Sequence, residues 1–117
     1  MDILLMILTQ KNRRETPQGE TMLHHIVCWT LKEKDAAENA RRIREASATL
    51  SAIPSVLSVE VSIEVLPTST LPAQVVLQST HNTPEDLQAY AVHPIHLEFG
   101  KLIREACENR QALDYMI

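Results

Sequence analysis

The sequence predicts an α+β domain in which a four-stranded antiparallel sheet carries helices on one face. Three observations support this. Segments of period two and segments of period three to four follow the order strand, helix, strand, strand, broken helix, strand. The cleanest alternation sets Leu57, Val59, Val61, Ile63 and Val65 against Ser58, Glu60, Ser62 and Glu64, a strand with one buried and one wet face. The chain has 117 residues, 44% apolar and 22% charged, enough for one modest core but not two.

The first strand is "LHHIVCWTL". His25, Val27, Trp29 and Leu31 share one face and His24, Ile26, Cys28 and Thr30 the other, so both faces should be covered. "KEKDAAENARRIREASATLSAIP" repeats apolar residues from Ala36 through Ala40, Ile43 and Leu50 to Ile53, an amphipathic helix stopped by Pro54. Asp35 is the expected N-cap, with Glu38 closing a capping box. Arg41, Arg42 and Arg44 alternate with Glu38 and Glu45, which describes a solvated, salt-paired face rather than an anion site.

After the alternating strand, "PTSTLP" is a turn and "AQVVLQST" the third strand. Thr83, Pro84, Glu85 and Asp86 form a compact helix start: cap, proline in the first turn, acids at the positive end. Leu87 and Tyr90 share a face of that helix. Pro94 interrupts it, since the residue before a proline is pushed out of the helical region. A second helix then starts at Pro94 and is expected to carry Leu97, Ile103 and Ala106 inward. "QALDYMI" closes the chain as a strand with Leu113, Tyr115 and Ile117 on one face.

This order is the ferredoxin-like split βαβ pattern. Its sheet has one face without helices. Val59, Val61 and Ile63 suggest apolar surface there, and a two-fold dimer is the usual cover.

Residues 1–21 differ from the rest and form an expected N-terminal extension, with 22–117 as the domain. The apolar run Ile3 to Leu8 is too short to span a membrane. Lys11, Arg13 and Arg14 follow it rather than precede it, the reverse of a secretory signal. "ETPQGET" has the composition of a linker. A net charge of -4 and only four aromatic residues argue against a nucleic-acid surface. Two distant cysteines, Cys28 and Cys107, make no disulfide framework, and a reduced, cytoplasmic protein is expected.

"HHIVCWTLKE", "IPSV", "AYAVHPIHLEFG" and "ALDYMI" together resemble the stress-responsive A/B barrel proteins, also called dimeric α/β-barrel proteins, over Met22 to Ile117. The resemblance implies a homodimer whose two sheets wrap into a barrel, often with a cavity between sheet and helices. One branch, the plant polyketide cyclases, performs a cofactor-free aldol condensation with a tyrosine and a histidine as acid–base pair. Matching that branch puts its first-strand histidine on His25, its catalytic tyrosine on Tyr90 and its catalytic histidine on His96. Its "FG" pair falls on Phe99 and Gly100. Its pocket-lining valines fall near Leu77 and Ser79. A small aliphatic residue beside Val27 becomes Trp29, large enough to fill the cavity.

"VHPIHLEFG" concentrates the question of function. With Pro94 opening a helix, His96 sits in its first turn, where the helix dipole disfavours an imidazolium. Tyr90 can reach it across the break, which makes a proton-transfer pair if a ligand lies between them. The plainer reading has His93 and His96 satisfying backbone groups at a buried junction. A metal clip would need His24 or His25 as a third ligand. Two function classes follow. One is a small homodimer holding an apolar ligand. The other is a cofactor-free acid–base enzyme, either a cyclase-like lyase or, by fold analogy, a barrel monooxygenase. Expected partners are a second copy and a small apolar ligand, without nucleic acid, membrane, metal or cofactor. A cavity touching both Tyr90 and His96 favours the enzyme; one plugged by Trp29 favours the binder.

Overall fold

The computed structural model describes residues 21–117. The extension expected at residues 1–21 lies outside the described residues, apart from Thr21. The elements are β1 (Leu23–Leu31), α1 (Ala36–Ser47), a 3₁₀ turn (Leu50–Ala52), β2 (Ser58–Ser62), β3 (Val75–His81), α2 (Pro84–Ala91), α3 (Pro94–Ala106) and β4 (Cys107–Met116). The sheet order is β2-β3-β1-β4, antiparallel throughout. This is the α+β arrangement expected. Among the described residues no helix is long and apolar enough to cross a membrane.

Side-chain alternation divides the sheet cleanly. Val27, Trp29, Val75 and Leu77 point to the helices and join Ile43, Leu50, Ile53, Tyr90, Phe99 and Ile103 in the core. Val59, Val61 and Ile63 also pack against that core. They therefore do not form the uncovered apolar surface expected of them. A run of exposed apolar side chains lies instead on β4 and its end, at Leu113, Tyr115, Met116 and Ile117, with Leu66, Leu71, Val92 and Leu97 exposed elsewhere. Leu113 stands opposite Ile26 and Tyr115 opposite His24, on the face away from the helices. His24 and Tyr115 stack there with ring centroids 4.9 Å apart.

Local chemistry explains where the helices begin and end. Thr83 caps α2 as expected, its Oγ1 accepting from the Asp86 amide at 3.0 Å. His93 caps α3, its Nδ1 accepting from the Ile95 amide at 3.1 Å. Asp35 does stand at the N-cap of α1, but the capping box does not form. Its backbone is left-handed, φ 56°, and its side chain makes no cap bond. Glu38 turns to Arg41 instead, at 2.5 Å, and Arg41 also holds Glu45 at 2.6 Å. The salt-paired face is therefore real, though such exposed pairs contribute little stability.

α1 stops at Ser47 rather than running to Ile53. Ser47 Oγ donates to the Arg44 carbonyl at 2.7 Å and Thr49 Oγ1 to the Ala46 carbonyl at 2.8 Å. Hydroxyls that take the last carbonyls compete with the helix ladder. β2 is likewise shorter than its alternation, because Ser62 Oγ accepts from the Glu64 amide at 3.1 Å and bends the chain away. In α3, Ile103 and Ala106 are buried as expected, but Leu97 is 54% exposed. It sits about 200° around the helix from buried Phe99, so it cannot share that inward face.

Candidate functional site

The site grows from the inner faces of β1, β3 and β4. The register puts His25 beside Ser79 on one side and Asp114 on the other, and Val27 beside Leu77. Cross-strand neighbours on one face are close enough to interact directly. His25 Nδ1 and Asp114 Oδ1 meet at 2.5 Å. A carboxylate only accepts, so Nδ1 carries the proton and Nε2 is the free ring nitrogen.

The break between α2 and α3 closes the site from above. Pro94 forces the turn, and Tyr90 and His96 face each other across it with ring centroids 4.6 Å apart. Tyr90 is fully buried. His81, at the end of β3, packs on its other side at 4.8 Å, and His25 approaches edge-on at 6.5 Å. Three histidines thus surround one tyrosine.

Between sheet and helices lies a cavity of about 510 Å³. His25, Val27, Trp29, Leu77, Tyr90, His96 and Phe99 all line it. These are the expected site residues with one exception. Ser79 is fully buried and lies outside the lining, because its hydroxyl is bonded to His81 Nε2 at 2.9 Å. Trp29 forms wall rather than plug: it is buried, yet the cavity remains open beside it and reaches both Tyr90 and His96.

Burial dominates the electrostatics. It pushes the Tyr90 phenol up to about 12, so the hydroxyl keeps its proton, with Ser79 opposing the shift slightly. Among the described residues Tyr90 Oη has no hydrogen-bond partner of good geometry. Burial also lowers the pKa of His96, which a bond to the Ala91 carbonyl partly offsets and the charges of His25 and Arg110 reinforce. His81 is lowered chiefly by burial too, with the Ser55 carbonyl opposing. Its Nδ1 donates to that carbonyl at 2.9 Å, so in the neutral ring Nε2 accepts from Ser79. The wall therefore presents a neutral donor, Tyr90, beside a neutral acceptor, His96.

His81 lies one residue beyond the strand that the sequence predicts over 73–80, and β3 runs on to include it. One more step of its alternation puts His81 on the face of Ser79. His93 serves the backbone as a cap, as the plain reading held. Among the described residues no group of three His, Cys, Asp or Glu side chains could hold a metal ion. Cys28 and Cys107 are buried free thiols, and burial pushes Cys107 up to about 11, away from thiolate chemistry.

Comparison with known proteins agrees with this architecture. No curated protein matches the chain significantly. Among solved structures, a dimeric ferredoxin-like protein of unknown function from Bacteroides fragilis is 28% identical, with TM-score 0.73. That match covers 82% of this chain and 96% of the other. A dimeric ferredoxin-like protein of unknown function from Thermobifida fusca reaches TM-score 0.76 at 16% identity, covering 90% of this chain and 100% of the other. A hydroxynitrile lyase from Passiflora edulis shares the fold at TM-score 0.70 and 23% identity, covering 82% and 93%. The family profile of the Stress responsive A/B Barrel Domain matches residues 23–117, the whole span from β1 through β4. By that match the chain belongs to the stress responsive A/B barrel domain family.

Proposed function

We propose that residues 22–117 act as a homodimeric binding domain whose cavity takes up a small, largely apolar ligand. The cavity itself carries the reading. About 510 Å³ with apolar walls at Val27, Trp29, Leu77 and Phe99, and polar groups such as Tyr90 and His96 set among them, has the size and chemistry of a small-molecule site. The exposed apolar residues of β4 supply a surface for a second copy, and the Bacteroides fragilis and Thermobifida fusca relatives are dimeric. Two buried free thiols suit a reducing, cytoplasmic setting.

The cavity is open past Trp29 and reaches both Tyr90 and His96, the outcome that favours acid–base chemistry, and this supports a second reading, a cofactor-free enzyme. Tyr90 and His96 stand together on the cavity wall, one holding a proton and the other able to accept one. A hydroxynitrile lyase carries the same fold, which makes a lyase the reaction class to try first. The test is a fragment screen followed by Trp fluorescence, since the single tryptophan lines the cavity. Apolar fragments that shift Trp29 emission support the binding reading; a screen without any such fragment refutes it. Leu113→Asp should yield monomers by light scattering, and a dimer unaffected by it refutes the β4 interface.

A further inference from the structure

We propose that the cavity selects ligands carrying an anionic group, a carboxylate held at the mouth by Arg104 and Arg110 while the apolar body lies against Trp29 and Phe99. The inference rests on the reading of the cavity as a ligand site and adds the chemical class of the ligand.

Arg110 follows Asp114 and Ala112 in the period-two alternation of β4, which puts it on the inner face of the sheet. The β1–β4 register shifts between Cys28 and Thr30, so Trp29 faces two residues of β4, Asn109 and Arg110. Asn109 takes a left-handed backbone, φ 58°, which asparagine tolerates better than most residues. Its Nδ2 donates to Thr30 Oγ1 at 2.8 Å and fixes the bulge. Such bulges re-aim side chains beside functional sites. Here the bulge lies directly beside Arg110, which stands at the cavity wall next to Trp29. Its charge is among those that disfavour an imidazolium at His96, so the guanidinium is within electrostatic reach of the interior.

Arg104 reaches the same mouth from α3. Side chains on a helix lean toward its N-terminus, and Arg104 lies back over the residue one turn earlier. That residue is Gly100, and a Cβ there would sit 3.3 Å from Arg104 Nη1. Glycine inside a helix costs about 1 kcal/mol relative to alanine, and at this position it leaves the guanidinium room. Gly100, Arg104 and Arg110 all line the cavity.

Both cations differ from the arginines of α1. Arg41, Arg42 and Arg44 each face a carboxylate. Among the described residues Arg104 and Arg110 have no ion pair. Glu108 also lines the mouth, so the rim carries two positive charges against one negative. Planar guanidinium groups match a carboxylate through paired hydrogen bonds, which an alcohol cannot reproduce.

The test uses matched probes, 4-phenylbutanoate and 4-phenylbutan-1-ol, titrated at low salt against the full chain and followed by Trp29 fluorescence. The acid should bind about tenfold more tightly than the alcohol, the effect expected of a charge-assisted contact. In the double variant Arg104→Gln, Arg110→Gln that preference should vanish while affinity for the alcohol stays the same. Equal binding of both probes to the wild type, or a preference that survives the double substitution, overturns the inference and leaves the cavity reading intact. Failure of both probes to bind overturns the two together.

Discussion

Ser79 and His81, two residues apart on β3, share a hydrogen bond of 2.9 Å from Oγ to Nε2 with both residues fully out of water. The other ring nitrogen is committed to the Ser55 carbonyl at 2.9 Å. This pair holds the floor on which Tyr90 rests. His81→Phe keeps a ring of similar shape but leaves a buried hydroxyl and a carbonyl without partners. The expected loss is about 1–3 kcal/mol, read from urea denaturation. A variant as stable as the parent would show that water or another group replaces the imidazole.

Tyr90→Phe should behave unlike most core substitutions. The hydroxyl it removes is buried and lacks a good hydrogen bond, so stability should hold or rise, by up to about 1 kcal/mol. Binding of ligands that accept from the phenol should weaken, and so should any turnover, while the dimer persists. A melting temperature several degrees lower would mean the hydroxyl is bonded within the protein.

The depressed pKa values of His81 and His96 set the acid limb of stability. Above the unfolded value of about 6.5 both rings are neutral in either state and neither affects folding. Below it the unfolded chain binds protons that the folded protein refuses, so stability falls as pH drops through that value toward the folded pKa values. Denaturation midpoints between pH 8 and pH 5 should decline on the acid side, and NMR titration should place both rings below model histidine. A His96 that titrates at or above that reference would remove the case for a neutral acceptor at the cavity wall.

Asp35→Gly addresses the start of α1. Aspartate there holds φ 56° without any cap bond in return. Glycine enters the left-handed region freely, so the substitution should be neutral or stabilising by up to about 1 kcal/mol. Destabilisation on thermal melting would reveal a role for the carboxylate at the helix start.

Much of the site was legible because local rules and long-range geometry agree there. Thr83-Pro84 and His93-Pro94 each announce a helix start, and the break between them puts Tyr90 opposite His96. Period-two alternation puts His25, Val27 and Trp29 on one face, and the family resemblance points that face at a cavity. Ser79 shares the alternation of the wall yet is withdrawn from it, since its hydroxyl binds a histidine that the sequence reading missed. Asp114 becomes the partner of His25 only through a pairing 89 residues long. Nothing local in the sequence marks Arg104 or Arg110 as cavity residues; a glycine one turn away and the inner-face alternation of β4 place them there. The apolar surface for a dimer is expected from β2, whereas the run of exposed apolar residues is on β4 and its end. Alternation says which residues share a face, not which face the helices cover.

The central strand β1 hydrogen-bonds to β3 on one side and β4 on the other, and Met22 and Ile117 exchange backbone bonds of 2.7 and 3.0 Å. β1 therefore emerges from the ribosome long before either neighbour exists. β3 can cover one edge of this apolar strand once it is made, but the other edge stays open until β4 follows. Non-local pairing of this kind slows folding and lengthens exposure to aggregation.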